Sequence, residues 1–330
     1  MTAAIDVRGL HKSYGVHVAL HGINLTVPTG DVVGFIGPNG AGKSTTMRIL
    51  LDILRPDRGE VRVLGHDPRS GGAALRSRMG YLPGELRLNG RYDVATLLDH
   101  YLKLSGNDRT TPCRTAWLPL AERLDLDPTK TVRGLSKGNK QKVGLIQAFA
   151  HRPELLILDE PTSGLDPLVQ AEFLGMVREA RDAGQTVFLS SHVLSEIDQA
   201  ANHVIVLRRG EVVLESTVAV LRASVAPRIT LRLAGSISPE VFACLPGVKS
   251  VEVIPSATAG EPTETTTLAI TTDGPPDQVV KTAARFTVLD LDAARPDLEE
   301  AVMRLYTDPA CCPRQFDHDD PSTGTGRTIR

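Results

Sequence analysis

The sequence predicts an α/β fold in which a mixed, mainly parallel sheet carries an antiparallel β flap and a helical subdomain, followed by a small α+β domain. Three observations indicate this. A glycine-rich stretch at residues 37–45 joins a β-like run to a helix-like run. Apolar runs at residues 155–158 and 186–190 lead into polar residues, as buried parallel strands do at a site. Beyond residue 223, short β-like runs alternate with helix-like ones.

The composition limits the class of protein. The 330 residues are enough for two domains, and 37 Lys and Arg against 39 Asp and Glu give a net charge of −2. This balance provides no basic field for nucleic acid, so we expect no nucleic-acid partner. No apolar run approaches the ~20 residues of a membrane-spanning helix. Residues 1–15 lack the apolar core of a secretory signal, so we expect a cytoplasmic protein.

The four cysteines show no C-x-x-C spacing. We therefore expect free thiols in a reducing compartment rather than a metal site or disulfides. The residues concerned are Cys113, Cys244, Cys311 and Cys312.

The stretch at residues 37–45 fits G-x-x-x-x-G-K-[ST], the pattern of a phosphate-binding loop. Glycines let backbone N–H groups converge on an anion, and the following helix adds its positive N-terminus. In this geometry Lys43 reaches the β- and γ-phosphates and Ser44 ligates Mg²⁺, which predicts a magnesium nucleoside triphosphate. A simple glycine-rich turn is the alternative, and the flanking strand and helix argue against it. The residues expected at the nucleotide are Gly37, Pro38, Asn39, Gly40, Ala41, Gly42, Lys43, Ser44 and Thr45.

The segment before this loop contains β-like runs at residues 5–7 and 23–27, broken by glycines, which predict an antiparallel flap. Tyr14 lies in the flap, where an aromatic ring could stack on a purine, since that contact needs only a flat apolar face. Packing within the protein is the alternative. After the loop, residues 47–54 have helical spacing and residues 60–64 alternate as a strand.

A predicted helical insert occupies about residues 91–150. It contains a polar, glycine-containing turn at residues 134–142 that leads into a helix-like run at residues 143–150. Ser136 is placed as the N-cap of that helix. Together with Gly138, the free N–H groups at the helix start would form a second anion site.

Paired carboxylates end the apolar run at residues 155–158. In a phosphate-loop enzyme, an acid at such a strand tip holds Mg²⁺ and a neighbouring carboxylate orients and deprotonates the attacking water. We assign the first role to Asp159 and the second to Glu160. The strand at residues 186–190 leads to His192, whose imidazole can hydrogen-bond a γ-phosphate. The alternative is that both acids only cap the following turn. The polar end of the second strand, which leads to His192, weakens that alternative.

In order and spacing, these motifs resemble the nucleotide-binding subunits of ATP-binding-cassette (ABC) transporters, over about residues 5–214. In that family two subunits pack head to tail, and ATP lies between the phosphate loop of one and the signature turn of the other. The resemblance therefore implies ATP and Mg²⁺ as cofactors. It also implies that Ser136 and Gly138 contact the γ-phosphate across a dimer. Asp166, in the turn at residues 163–166, would communicate between the two sites.

Two stretches depart from the family pattern. Lys137 and Asn139 replace the third and fifth residues of the signature Leu-Ser-Gly-Gly-Gln, and we expect Lys137 to face solvent rather than the phosphate across the dimer. In the loop at residues 80–85, the family has a glutamine that touches Mg²⁺ or water and senses the membrane partner. Gly84 stands there and cannot make this contact, so Glu85 is the candidate substitute.

The predicted domains are a nucleotide-binding domain at residues 1–223, an α+β extension at residues 224–309 and a disordered tail at residues 310–330. The extension resembles that of drug- and antibiotic-export ATPases, where it would bind a partner or support the dimer. Its β-like runs lie at residues 228–233, 248–254, 266–271 and 286–291, and its helix-like runs at residues 277–284 and 298–306.

The function implied by the resemblance is ATP hydrolysis that powers a membrane transporter, with export favoured and import as the alternative. A DNA-repair or chromosome ATPase would need a long heptad coiled coil, which this sequence lacks. A ribosome-associated factor would carry two cassettes and a basic linker, whereas this sequence has one cassette and a balanced charge, so both functions are less favoured. The expected partners are a separately encoded integral-membrane permease and a second copy or homologous ATPase. The permease would hold the chain on the inner face of the cell membrane, at the insert and the loop around Gly84 and Glu85.

Overall fold

The computed structural model describes residues 3–105, 113–223, 227–254, 265–294 and 302. These residues divide into two compact units. The first contains residues 3–192 and 203–215, and the second contains residues 193–202 and 216–302, within the described ranges. The domain boundary predicted at residue 223 stays a prediction.

The strands of the described residues, in chain order, are β1 (Ala3–Tyr14), β2 (His17–Pro28), β3 (Val32–Ile36), β4 (Arg58–Val63), β5 (Met79–Leu82), β6 (Leu155–Asp159), β7 (Thr186–Ser191), β8 (His203–Arg208), β9 (Glu211–Thr217), β10 (Arg228–Ala234), β11 (Val248–Ile254), β12 (Thr265–Thr272) and β13 (Val288–Ala294). The helices are α1 (Lys43–Leu50), α2 (Pro68–Arg76), α3 (Val94–Leu104), α4 (Cys113–Arg123), α5 (Lys137–Phe149), α6 (Pro167–Asp182), α7 (Leu194–Ala200), α8 (Val218–Ala223), α9 (Glu240–Ala243) and α10 (Asp277–Ala283), with a 3₁₀ turn at Val132–Gly134.

A six-stranded sheet in the order β5-β6-β7-β3-β8-β9 forms the centre of the first unit. Its pairs from β5 to β8 are parallel, and every residue of β3, β6 and β7 is buried, as expected for a sheet covered on both faces. Phe35 and Phe188 contact each other within it, with ring centroids 5.1 Å apart. Because parallel strands end at the same edge, the residues after β3, β6 and β7 lie close together. The strands predicted there are confirmed.

The predicted flap is confirmed as an antiparallel sheet in the order β2-β1-β4. Its strands are longer than the apolar runs indicated, because Gly9 and Gly22 lie at irregularities of pairing and do not end the strands, whereas Gly15 lies in the turn between β1 and β2. One register shift falls between Val7 and Leu10. The flap therefore continues to Tyr14, at the end of β1.

The predicted insert is helical in the described residues, with α3, α4 and α5 inside residues 91–150. Asp93 caps α3 by accepting a hydrogen bond from the Thr96 amide over 2.7 Å. Buried Trp117 of α4 donates from Nε1 to Asp99 over 2.7 Å, which ties the two helices together. None of the helices in the described ranges is long and apolar enough to cross a bilayer.

Two predicted helix limits were wrong. Helix α1 ends at Leu50 and not at residue 54, because the amides of Ile53 and Leu54 both turn back to the carbonyl of Arg48, at 3.0 and 3.1 Å. Helix α5 begins at Lys137, six residues before the helix-like run at 143–150, whereas the N-cap predicted at Ser136 is confirmed.

The second unit has a four-stranded antiparallel sheet in the order β11-β12-β10-β13. Alternate residues of β10, such as Leu231, pack with β12 and with Phe242 of α9 and Val279 of α10. The predicted α+β architecture is confirmed, whereas the four-residue α9 was not predicted. Of the helix predicted at residues 298–306, only Val302 is described, and the predicted tail at residues 310–330 lies outside the described residues.

Cys244 is an exposed free thiol. The side chains of the other three cysteines lie outside the described part of the chain.

Candidate active site

The phosphate loop predicted at residues 37–45 connects β3 to α1. Gly42 caps α1 with φ 111° and brings no side chain, so nothing at the cap position competes with an anion for the first N–H groups of the helix. Gly37 is fixed by close packing, since a Cβ there would lie 2.3 Å from the Leu207 carbonyl oxygen. Pro38, Asn39 and Gly40 form the exposed rim of the loop, whereas Ala41 is buried and Ser44 and Thr45 are half-buried.

Lys43 lies along the loop with 6% of its side chain exposed. Its Nζ donates to the carbonyl of Gly37 over 2.6 Å and approaches that of Pro38 at 3.4 Å. The same Nζ is 3.7 Å from Oε1 of Glu160. The only lysine of the predicted loop therefore reaches the acid predicted to activate water.

Asp159 and Glu160 stand at the end of β6 in different surroundings. Asp159 is buried, and its Oδ1 accepts a hydrogen bond from the Ser190 hydroxyl over 2.7 Å. Glu160 has φ 51°, which turns the chain away from the sheet, and its side chain is 21% exposed. A partly exposed carboxylate beside a buried one suits the predicted division between water activation and metal binding.

His192 follows β7, and its Nδ1 is hydrogen-bonded to Oε2 of Glu160. Glu160 therefore lies between Lys43 and His192, with one oxygen toward each. The imidazole keeps its second nitrogen, Nε2, for another partner. Three residues predicted from separate motifs are thus brought together at one edge of the sheet.

The signature turn lies at the start of α5, against the turn at residues 163–166. Ser136 accepts from the Asn139 amide over 3.2 Å as the N-cap. A Cβ at Gly138 would lie 2.7 Å from the Gly164 carbonyl oxygen, so the two turns pack closely. Asp166 caps α6 by accepting from the Val169 amide over 3.0 Å. The parts of Ser136, Gly138 and Asp166 in a shared nucleotide site stay predictions.

Lys137 is exposed, as predicted, but it is not simply directed into solvent. Its Nζ donates to the Ser163 hydroxyl over 3.1 Å. Its alkyl chain passes over Gly164, where a Cβ would lie 3.3 Å from the lysine Cδ. The expectation for this residue is corrected accordingly: Lys137 joins the signature turn to the turn at residues 163–166.

Tyr14 ends β1 with 47% of its surface exposed, and Lys12 Nζ lies 5.9 Å from its ring centroid. This exposure argues against the alternative that Tyr14 is a core packing residue. Purine stacking at Tyr14 stays a prediction.

The loop after β5 places Gly84, and not Glu85, beside the buried carboxylate. A Cβ at Gly84 would lie 3.2 Å from Oδ2 of Asp159. The Glu85 side chain is 81% exposed and pairs loosely with Arg87, at 3.7 Å. The structure therefore does not support Glu85 as the substitute for the family glutamine. Burial, and then the charge of Asp159, raise the pKa of Tyr81, so this phenol adds no negative charge beside the carboxylates.

Two site residues were missed by the sequence analysis. Ser190 contacts both carboxylate-bearing residues, and a hydroxyl directly after the apolar run at residues 187–189 was the available signal. Gln141 is buried, and its Nε2 donates to the carbonyls of Glu160 and Pro161 over 3.3 and 3.0 Å. Its neighbours Lys140 and Lys142 made this stretch look solvated.

The residues present fit a magnesium ion. Mg²⁺ prefers oxygen ligands and keeps several waters. Asp159 supplies a carboxylate whose Oδ1 is engaged by Ser190, while Oδ2 lies on the side of Gly84, which has no side chain of its own. Ser44, in the first turn of α1, supplies the hydroxyl of the phosphate-loop pattern.

This combination of topology and chemistry defines a class of protein, the ATPases in which a glycine-rich loop between a strand and a helix binds the nucleotide phosphates. The sequences and structures of known proteins support this class. The family description "ABC transporter" matches residues 20–163.

Named relatives are similar over most of their length. The daunorubicin resistance ATP-binding protein DrrA3 of Streptomyces coeruleorubidus is 39% identical over 72% of this chain and 77% of its own. The bacitracin transport ATP-binding protein BcrA of Bacillus licheniformis is 34% identical over 65% of this chain and 70% of its own. A solved ATP-binding subunit of an ABC transporter is 29% identical, with a TM-score of 0.63, over 67% of this chain and 92% of that one.

The chain belongs to the ABC transporter family.

Proposed function

We propose that this chain hydrolyses ATP to drive export of a drug, antibiotic or other small molecule through a separately encoded membrane permease. The observation that carries the catalytic part is the position of Glu160, which lies 3.7 Å from Lys43 Nζ and is hydrogen-bonded to His192. Export is supported by the relatives, which are named for daunorubicin resistance and bacitracin transport.

In this proposal Glu160 is the general base. It accepts a proton from water as the water oxygen bonds to the γ-phosphorus and the bond to the bridging oxygen of ADP breaks. Lys43 stabilises the negative charge on the phosphate oxygens. His192 holds Glu160 through Nδ1 and offers Nε2 to the γ-phosphate.

The proposed metal is Mg²⁺, held by Asp159 and Ser44 together with phosphate oxygens and water. When bound, it would neutralise charge on the β- and γ-phosphates. Oδ1 of Asp159 is fixed by Ser190 over 2.7 Å, which leaves the second carboxylate oxygen for this contact.

We further propose that the working form is a dimer with a second copy or a homologous ATPase. Ser136 is exposed at the N-terminus of the 13-residue helix α5, where helix N–H groups favour an anion. Ser136 and Gly138 would complete the partner's nucleotide site, and Asp166, at the start of α6, would link the two sites.

The remaining partner is the permease, which would hold the chain at the cytoplasmic face of the cell membrane. The helical insert and the loop at residues 80–85 are the proposed contact surface. Glu85 and Arg87, at 81% and 90% exposed, are available there for a charged contact. The net charge of −2 supports the absence of a nucleic-acid partner.

The test is transport. The chain is co-expressed with its candidate permease, an integral-membrane protein to be sought among the adjacent genes, and inside-out vesicles are prepared with wild type or Glu160→Gln. We expect ATP-dependent accumulation of a drug probe, with daunorubicin and bacitracin tried first, in the wild-type vesicles only.

ATP-driven loss of a preloaded probe from these vesicles would indicate an importer and contradict export. Purification of the chain with ribosomes or DNA, and with no membrane protein, would contradict the transport function as a whole.

A further inference from the structure

Ser190 is a buried hydroxyl that contacts both acids of the active site. Its Oγ donates to Oδ1 of Asp159 over 2.7 Å and accepts from the backbone amide of Glu160 over 3.0 Å. The residue is fully buried. A serine hydroxyl has one proton to donate and two lone pairs to accept, so both contacts are made at once.

The pairing of the central strands fixes this arrangement. Asp159 and Ser190 are register partners in the parallel pair of β6 and β7, although 31 residues separate them in sequence. Strand β6 ends at Asp159, so the next amide, that of Glu160, leaves the sheet ladder and bonds the serine side chain instead.

The backbone of Glu160 is strained, because a non-glycine residue at φ 51° lies in the left-handed region. Such a conformation persists only where its surroundings hold it. Here the amide is held by Ser190 and the carbonyl is approached by Gln141 Nε2 at 3.3 Å. Side chains from two different elements therefore fix both polar groups of this residue's backbone.

The bond to Ser190 also makes the two carboxylate oxygens of Asp159 inequivalent. Oδ1 is engaged by the hydroxyl, and Oδ2 lies on the side of Gly84, where a Cβ would be only 3.2 Å away. A carboxylate fixed in this way presents one defined oxygen to a metal ion instead of rotating between two.

We propose that Ser190 is a positioning residue for hydrolysis, which presents Oδ2 of Asp159 to the metal ion and fixes the backbone of Glu160 so that its carboxylate meets the attacking water. This inference rests on the proposed roles of Asp159 and Glu160. Outer partners that orient metal ligands typically contribute about 10- to 100-fold to metal affinity or activity.

The experiment compares full-length wild type with Ser190→Ala and Ser190→Thr, which keeps a hydroxyl. Mn²⁺ binding is titrated by electron paramagnetic resonance with a non-hydrolysable ATP analogue present, and phosphate release is measured with Mg-ATP. In Ser190→Ala we expect a half-saturating Mn²⁺ concentration raised about 10-fold and kcat lowered about 10-fold. KM for Mg-ATP should change less. Ser190→Thr should restore both the half-saturating Mn²⁺ concentration and kcat to wild-type values.

The matched control is Thr186→Val. Thr186 is fully buried in the same strand, and its hydroxyl accepts from the Gly30 amide over 2.9 Å at the other end of β7. A general weakening of the strand would affect this variant equally, whereas the proposed role predicts wild-type Mn²⁺ binding for it. If Ser190→Ala does not fold, Ser190→Cys, with its weak donor, replaces it and should show the same direction of change.

Ser190→Ala with unchanged Mn²⁺ affinity and kcat would overturn the proposal, as would a loss that Ser190→Thr does not restore. A wild-type chain that neither binds Mn²⁺ with the analogue nor releases phosphate would instead contradict the proposed site itself.

Discussion

The ammonium group of Lys137 donates a hydrogen bond to the hydroxyl of Ser163 over 3.1 Å. This bond joins the turn that starts α5 to the turn that precedes α6. Gly138 and Gly164 pack closely: a Cβ added to Gly138 would lie only 2.7 Å from the Gly164 carbonyl oxygen. Because both turns belong to the proposed dimer interface, the bond should set their relative positions.

A double-mutant cycle tests this link in a Glu160→Gln background, where the ATP-bound dimer should persist. We expect Lys137→Met and Ser163→Ala each to raise the apparent dimer dissociation constant about 5-fold, which corresponds to about 1 kcal/mol for one hydrogen bond. The double variant should be no weaker than either single one. Ultracentrifugation with Mg-ATP measures this, and fully additive losses would show that the two residues act independently.

Gly84 should matter for metal binding, whereas Glu85 should not. Gly84→Ala places a Cβ 3.2 Å from Oδ2 of Asp159, which is closer than an ordinary contact. We therefore expect a several-fold higher half-saturating Mn²⁺ concentration in this variant. Glu85→Gln, at an exposed side chain, is the control. Weaker Mn²⁺ binding in Glu85→Gln, with unchanged binding in Gly84→Ala, would contradict this account and support a role for Glu85 at the metal ion.

Lys43→Ala should weaken nucleotide binding itself. Loss of charge-assisted hydrogen bonds to phosphate is expected to lower ATP affinity about 10-fold or more. A fluorescent ATP analogue measures this on the purified chain. Lys281→Ala, at an exposed lysine of the second unit, is the control and should bind as wild type does. Equal affinities in both variants would refute the phosphate-loop assignment.

His151 should make stability depend on pH. Burial lowers the pKa of His151 below its usual value near 6.5, and Nε2 lies 3.2 Å from the Met79 carbonyl oxygen. As the pH falls below about 6.5, the unfolded chain binds a proton that the folded one excludes, so the folded state loses stability. That stability is fully present above the unfolded pKa.

We expect the Tm of wild type to fall more between pH 7.5 and pH 5.5 than that of His151→Gln, which cannot titrate in this range. Scanning calorimetry on both proteins gives the comparison. Equal falls in Tm would mean that other groups cause the pH dependence.

Much of the fold could be predicted because its signals are local. The phosphate loop follows from glycine and lysine spacing within nine residues, and the buried strands β6 and β7 follow from uninterrupted apolar runs. Helix α9 was missed because four residues are too short to show a helical period.

The supporting residues of the site could not be predicted, because their roles depend on strand register and helix packing. Ser190 meets Asp159 only through the pairing of β6 with β7. Gln141 is buried against Glu160 and Pro161 although it lies between two lysines. Lys137 finds Ser163 only because the two turns pack together.

The central claim is that ATP is hydrolysed with Glu160 as the base, held between Lys43 and His192. The direct measurement is phosphate release at saturating Mg-ATP by wild type and Glu160→Gln, purified with the candidate permease, with bound ATP quantified in the same samples. We predict that Glu160→Gln binds ATP as wild type does but has a turnover reduced by roughly 10² or more, the range for a lost general base. Wild-type turnover in Glu160→Gln would contradict the account.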